Sequence, residues 1–187
     1  RATEPKLAYW RAEFNASSVP PTFDVRTGRI AIANADGTNE QFLSCTDTSR
    51  CSCDPPTDCS PQSDGENGAL LPAWSDDGTW LVYVRQTRHS DDIVYPDIIA
   101  RRMSTGEEWN LTQHDHHVHA DPAARFLSQG VPVLTVVFAR DLGTVGAPTV
   151  RCSDQATARV QGIAKVDLNT SAPSGNLPIT QLTFPHL

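Results

Sequence analysis

Histidines crowd one short stretch of this chain and form the first candidate site. Four of the six histidines lie within residues 114–119, and Asp115 and Asp121 stand beside them. Neutral imidazole rings with a nearby carboxylate suit zinc, manganese, nickel or iron. The spacing therefore indicates a divalent metal ion held by His114, His117 and His119. The alternative is a polar loop whose histidines cap strands, and the sequence indicates no other cofactor.

Three arginines occupy one repeated position, at the end of an apolar run. Arg11, Arg85 and Arg140 each follow an aromatic residue and a second apolar residue. A planar guanidinium bonds a carboxylate through two parallel N–H groups. Three of them in an arc could bind a uronate, a sulfate or an acidic peptide. The alternative is that each arginine pairs with an acidic residue of the repeat, such as Asp97 or Asp141, and ties adjacent strands together.

The five cysteines are unevenly distributed. Four crowd one polar loop and the fifth stands alone: Cys45, Cys51, Cys53, Cys59 and Cys152. Crowding of this kind is typical of disulfides formed in an oxidising compartment. A metal site is the weaker alternative, because the Cys-x-Cys spacing with gaps of five residues is not a standard zinc pattern. Pairing of Cys152 with one of the four would leave an odd thiol.

Further features point to a secreted, extracellular or periplasmic protein. Asn15, Asn110 and Asn169 fit the N-glycosylation pattern, which matters only in a eukaryotic secretory host. The chain begins with Arg1, so we expect a processed chain or a piece of a longer one. No apolar run approaches the roughly 20 residues that span a bilayer, so we expect no membrane span.

Composition also limits the class of partner. The chain of 187 residues carries a net charge of −7, with a pI of about 5.2. Binding to nucleic acid through phosphate neutralisation is therefore not expected. The 14 prolines and 11 glycines favour short strands joined by turns. No stretch shows the periodicity of a long amphipathic helix.

The elements that must position these residues recur three times along the chain. Each arginine-terminated run is followed by a second β-rich run and then by a third that ends in Leu43-Ser44, Leu111-Thr112 or Leu182-Thr183. A supersecondary unit that recurs in this way predicts an array or a propeller.

The middle unit resembles a known family. Residues 72–83, Pro-Ala-Trp-Ser-Asp-Asp-Gly-Thr-Trp-Leu-Val-Tyr, resemble the TolB-like (PD40, WD40-like) β-propeller repeat, which reads Pro-x-Trp-Ser-Pro-Asp-Gly before an apolar strand. Residues 32–39 resemble the outer hairpin of that family, and the Leu-Thr pairs resemble its strand ends. The resemblance implies an all-β fold of blades with four antiparallel strands each.

On this basis residues 1–187 form a single β-propeller portion with just under three blades. Blade one covers 1–44, a Cys-rich insertion 45–68, blade two 69–112 and blade three 113–187. The predicted strands are 6–11, 29–34 and 40–44, then 70–75, 80–86, 97–103 and 107–112, then 120–126, 133–140, 159–168 and 179–183. Closed propellers have about four to eight blades, so we expect other protein chains or further copies to complete a larger ring. A small β-sandwich is the competing fold.

Long insertions are predicted on one face of the blades, where binding and catalysis concentrate. They cover residues 12–28, 45–68, 87–96, 113–119 and 141–158. The leading functional hypothesis is a non-catalytic extracellular or periplasmic propeller module for protein or glycan interaction and assembly.

Two enzyme-related alternatives remain open. The pattern His114-x-x-His117-x-His119 is similar to the metal-binding stretch of oligogalacturonate-lyase-type propellers, which implies a metal-assisted lyase acting on acidic (uronate) glycans. A propeller cap of a serine peptidase rests on fold analogy alone. No Gly-x-Ser-x-Gly motif or phosphate loop is present.

Overall fold

The computed structural model describes residues 6–15, 22–43, 69–88, 94–117, 119–128, 130–141, 161–171 and 177–183. All regular elements in these ranges are β-strands, which confirms the all-β class. They are β1 Lys6–Asn15, β2 Thr22–Asn34, β3 Gln41–Phe42, β4 Ala69–Trp74, β5 Trp80–Arg88, β6 Val94–Arg102, β7 Glu108–Asn110, β8 His119–Leu127, β9 Val133–Asp141, β10 Gln161–Asn169 and β11 Ile179–Gln181. The described residues contain no helix that could cross a membrane.

The strands form three antiparallel sheets, which we call sheets one, two and three. Their orders are β1-β2-β3, β4-β5-β6-β7 and β8-β9-β10-β11, so neighbours in each sheet are neighbours in the chain. Sheets of three and four strands with this meander are the arrangement found in propeller blades. The predicted grouping of strands is therefore confirmed.

Two of the predicted insertions are largely strand. β1 continues to Asn15 and β2 begins at Thr22, after a register shift between Arg11 and Glu13. Much of residues 12–28 is thus a paired hairpin rather than a loop. Residues 87–96 shorten in the same way, since β5 reaches Arg88 and β6 begins at Val94. The parts of both segments that are strand contain aromatic and β-branched residues, such as Phe23, Val25 and Tyr95, and these favour an extended ladder. The Cys-rich insertion lies outside the described residues.

Sheet two is buried on both sides. On one face Trp80, Val82 and Val84 belong to a core shared with Val136 and Phe138 of sheet three. On the other face Leu81, Tyr83 and Ile99 pack in a core with Ile30 of sheet one. Successive side chains of a strand point to opposite faces, so the continuous apolar run of β5 supplies both cores. The ring centroids of Trp80 and Trp109 lie 5.3 Å apart.

The Leu-Thr pairs that recur in the sequence have one structural role. The leucine N–H extends the last strand of each sheet by donating to an isoleucine carbonyl of the strand beside it. The three bonds are Leu43 to Ile30 at 2.8 Å, Leu111 to Ile98 at 2.8 Å and Leu182 to Ile163 at 2.7 Å. The hydroxyl oxygens of Thr112 and Thr183 accept the N–H of the same isoleucines, Ile98 and Ile163, at 3.0 and 2.8 Å.

An Asp-Gly-Thr turn appears in both sheet one and sheet two. Gly37 and Gly78 have φ values of 82° and 70°, which glycine adopts without steric cost. Asp77 precedes Gly78, and its carboxylate accepts the backbone N–H of Thr79 at 3.1 Å and the Thr79 hydroxyl at 2.6 Å. Burial opposes ionisation of Asp77, but hydrogen bonds from Ser75 and Thr79 outweigh it and lower the pKa of its carboxyl.

The innermost strands of sheets two and three share a bulge. Leu71 and Asp121 have φ values of 52° and 49°, each directly before a proline. The register of each strand shifts at this point, between Leu70 and Ala73 and between Ala120 and Ala123. Left-handed backbone is uncommon for a residue other than glycine and strains a leucine in particular.

The bulge gives a stability prediction. Asparagine tolerates the left-handed region, so Leu71→Asn should raise the free energy of unfolding by about 0.5–1 kcal/mol. Leu127→Asn is the matched control, because Leu127 is a similarly exposed leucine of an innermost strand without a positive φ. Urea unfolding measures both variants. An unfolding midpoint for Leu71→Asn at or below that of Leu127→Asn would contradict the claim that the positive φ strains Leu71.

Candidate functional site

The histidine segment links sheet two to sheet three and folds tightly. The N–H of Asp115 donates to the carbonyl of Thr112 at 2.8 Å, and the N–H of His117 donates to the carbonyl of Asp115 at 2.8 Å. These turns bring the Asp115 side chain between His119 and Arg140. The segment therefore places a carboxylate, an imidazole and a guanidinium at one junction between two sheets.

Arg140 and Asp115 form a two-pronged ion pair at this junction. Nε and Nη2 of Arg140 donate to Oδ2 and Oδ1 of Asp115, each at 2.6 Å. The Asp115 side chain is 10% exposed. Burial opposes its ionisation, but hydrogen bonds from His119 and Arg140 outweigh burial and lower the pKa of Asp115 to about 2. Arg140 also donates from Nη1 to Gln181 at 3.3 Å.

His119 is buried, at 1% exposure, and both of its ring nitrogens have partners. Nε2 lies 2.9 Å from Oδ2 of Asp115, and Nδ1 lies 3.0 Å from the carbonyl oxygen of Pro96. A carboxylate and a carbonyl are both acceptors, so the ring satisfies both when each nitrogen carries a proton. In that state neither nitrogen offers a lone pair to a metal. The ring edge packs on Phe138, with centroids 5.3 Å apart.

A second carboxylate, that of Asp97, lies near the same histidine. Oδ1 of Asp97 is 3.9 Å from Nδ1 of His119, and both side chains have no exposed surface. Asp97 accepts the hydroxyl of Thr112 at 3.0 Å and the amide of Asn110 at 2.7 Å. Buried charge is tolerated when it is paired and hydrogen-bonded. The junction is therefore a satisfied polar network that connects β6, β7, β8 and β9.

The other two predicted metal ligands, His114 and His117, have different surroundings. His114 is exposed and borders an open depression of about 210 Å³, which Leu111, Leu177 and Ile179 line on the apolar side. Nε2 of His117 is 3.6 Å from Oδ1 of Asp115. Within the described part of the chain, no three His, Cys, Asp or Glu side chains are arranged to hold a metal ion.

Arg85 lies within sheet two, in a cluster around Glu108. Its Nη1 donates to Oε2 of Glu108 at 2.8 Å, and Nη1 of Arg101 donates to Oε1 at 3.0 Å. The hydroxyl of Tyr83 donates to Oε1 at 2.5 Å. Burial, and then the charge of Glu108, raise the pKa of Tyr83. Burial opposes ionisation of Glu108, but the hydrogen bond from Tyr83 and the charge of Arg85 outweigh it and lower the pKa of Glu108.

Arg85 and Arg140 thus each donate to a carboxylate of this chain. The side chain of Arg11 lies outside the described residues, and its backbone pairs with that of Arg29. The sequence pattern did not single out Glu108 or Asp115 as the partners of these arginines. For Asp115 there was a signal, its position among the histidines. For Glu108 there was none, because only the strand register brings it close to Arg85.

The remaining predicted sites are less fully described. All five cysteines and the side chain of Asn15 lie outside the described residues. The amide nitrogen of Asn110 donates to Asp97, and its Oδ1 accepts the N–H of Thr112 at 3.1 Å. Asn169 is exposed at the end of β10, where its Oδ1 accepts the N–H of Ser171 at 3.0 Å.

One face of sheet one carries three large apolar side chains that are partly exposed, beside Ala31 and Ala33, which are buried. Cross-strand pairs Leu7–Ala33, Tyr9–Ala31 and Ala31–Phe42 place these five residues on the same side, which we call the outer face of sheet one. Leu7, Tyr9 and Phe42 are 47%, 36% and 45% exposed. The opposite side of this sheet, with Ala8, Ile30 and Ile32, packs on sheet two.

Comparisons with known proteins give a similarity among solved structures. No protein-family model and no curated protein matches this chain. Among solved structures, the chain is similar to the crystal structure of TolB from Acinetobacter baumannii, with a TM-score of 0.33 and 16% sequence identity. The similarity covers 96% of this chain and 41% of that TolB chain.

The ion pair at Asp115 predicts a pH dependence. The pKa of Asp115 falls from 3.8 to about 2 on folding, so its ionised form stabilises the fold fully above pH 4, and this stabilisation is lost as the pH falls towards 2. Asp115→Asn should lose about 3 kcal/mol near pH 7 and should show a flatter stability profile between about pH 4 and 2. Denaturant unfolding across this pH range measures both effects.

Asp121→Asn is the control for that experiment, since Asp121 lies on the same strand as His119 but is exposed. It should keep the acid dependence of the unsubstituted chain. An Asp115→Asn profile as steep as that of the control would mean that the Asp115 carboxylate is not what stabilises the junction.

The sequons differ in what glycosylation would cost. A glycan on Asn110 would be attached to the Nδ2 atom that donates to the buried Asp97 and would bring a bulky sugar into that contact, whereas the exposed side chain of Asn169 can carry one. In a eukaryotic secretory host, we expect secreted protein to be glycosylated at Asn169 and bare at Asn110. Peptide mapping by mass spectrometry tests this, with Asn169→Gln as the control that loses the glycan. A folded, secreted form with glycan on Asn110 would contradict the network.

Proposed function

We propose that this chain is a non-catalytic β-propeller module of the TolB-like (PD40, WD40-like) repeat type that binds other proteins through the outer face of sheet one. In this proposal residues 1–44, 69–112 and 113–187 are successive blades, and 45–68 is an insertion between the first two. The repeat resemblance and the three successive meander sheets support it. The cysteine loop and the glycosylation patterns favour a secreted, extracellular or periplasmic setting.

The observation that carries the proposal is a difference between equivalent residues. Leu7 and Tyr9 occupy the repeat positions of Leu81 and Tyr83 in sheet two. Leu81 and Tyr83 are 0% and 2% exposed because sheet one covers them, whereas Leu7 and Tyr9 are 47% and 36% exposed. Burying apolar area removes it from water at a gain of about 25 cal/mol per Å². A face built to the same pattern is therefore suited to another protein surface.

The polar residues support a binding module rather than an enzyme. The guanidiniums of Arg85 and Arg140 bond Glu108 and Asp115, and His119 bonds Asp115 and Pro96. Each of these groups joins strands or sheets of the chain. Because two of the three predicted arginines have carboxylate partners within the chain, an acidic glycan is less suited to them than a protein is to the apolar face.

Site-specific photo-crosslinking tests the proposed function. A benzophenone amino acid replacing Phe42, which is 45% exposed on the outer face, should cross-link to protein when the chain is present in its native surroundings. The same probe at Leu71, which is 44% exposed in the bulge of β4, is the matched control. Mass spectrometry then identifies the adducts. Equal or absent protein adducts at the two positions would overturn a binding role for this face.

A further inference from the structure

The outer side of sheet three carries the complement of the exposed face on sheet one. Cross-strand pairs Ala139–Ile163 and Val137–Lys165 place these residues on the side away from sheet two, and we call it the outer face of sheet three. Leu182 joins them through the bond of its N–H to the carbonyl of Ile163. Ile163 and Leu182 are 45% and 47% exposed.

The repeat identifies what these two residues would contact. The bond that joins Leu182 to Ile163 also joins Leu43 to Ile30 in sheet one. Ile30 and Leu43 pack in one core with Leu81 and Tyr83 of sheet two. The outer face of sheet three is thus equivalent to the side of sheet one that packs on Leu81 and Tyr83. The outer face of sheet one is equivalent to the side of sheet two that contains Leu81 and Tyr83.

Opposite charges lie close together on the outer face of sheet three. The Nζ of Lys165 and the Oδ2 of Asp167 lie 2.8 Å apart, and Arg125, which the register places on the same side, has its Nε 3.7 Å from Oδ2 of Asp76. Asp167 also accepts the hydroxyl of Thr135 at 2.7 Å. Lys165 and Asp167 compensate each other, so they add no uncompensated charge next to the apolar residues Ile163 and Leu182.

Sheet two packs on sheet one with one face and on sheet three with the other, so the outer faces of sheets one and three lie at opposite ends of the stack. From these observations we infer that a second copy of this chain covers the outer face of sheet one with the outer face of its own sheet three. The inference rests on the proposed function, since it names the protein that the module binds. The contact is head-to-tail, a type that closes into a ring when its rotation allows. Two copies double the three sheets, which falls within the range of about four to eight blades in closed propellers.

Self-association of the full chain tests the inference. Sedimentation and light scattering should give twice the mass of 20.4 kDa as concentration rises. Leu7→Glu on sheet one and Ile163→Glu on sheet three should each weaken association at least about tenfold, because each buries an uncompensated charge. Leu71→Glu, on neither outer face, should associate like the unsubstituted chain. Circular dichroism checks that each variant is folded. Phe42→Ser on sheet one and Leu182→Ser on sheet three are a second, less disruptive pair of variants for the same test.

Mixing the two variants separates a head-to-tail contact from other arrangements. An equimolar mixture of Leu7→Glu and Ile163→Glu retains one intact pair of faces, so a two-copy species should return. A mixture that stays monomeric would overturn the inference that a second copy covers the outer face of sheet one. So would an unsubstituted chain whose mass stays at 20.4 kDa. If the Phe42 probe still cross-links another protein in that case, the binding module stands, and if it does not, both proposals fail.

Discussion

Burial of both faces of sheet two is the constraint on which the rest of the structure depends. Trp80, Leu81, Val82, Tyr83 and Val84 are consecutive and all at most 2% exposed, which a strand achieves only when its sheet is covered on both sides. Sheets one and three provide that cover. The outer faces of these two sheets carry partly exposed apolar side chains, Leu7 and Ile163 among them, and they are the two surfaces through which we propose the stack extends.

Apolar packing is not directional, and the polar contacts fix how the sheets meet. Asp76 accepts the N–H of Phe126 at 2.9 Å, next to the parallel bridge between Ser75 and Ala124. At the other end of β8, His119 connects Asp115 to the carbonyl of Pro96. These contacts hold the innermost strand of sheet three against sheet two at both ends. The histidines that suggested a metal site in the sequence include one, His119, whose position in the fold makes it a cross-link.

The sequence predicted what depends on local pattern. Short apolar runs, Asp-Gly turns and Leu-Ser or Leu-Thr pairs predicted the strands and their grouping, because strand propensity and turn chemistry act over a few residues. It could not predict the partner of Arg85, since Glu108 approaches only through the register of β6 and β7. The paired hairpin in residues 12–28 was missed because its polar and proline residues resemble a loop. The positive φ of Leu71 follows from the bulge, and nothing in the residue type itself signals it.

Nuclear magnetic resonance can observe the face-to-face stacking of the three successive sheets. In an isotope-labelled sample, nuclear Overhauser contacts report which backbones and methyl groups lie close together. If the sheets stack as described, contacts should appear between the backbones of Ser75 and Ala124 and between the side chains of Ile30 and Ile99, which share one core. A folded chain that shows the contacts within each sheet but neither of these would contradict the stacking.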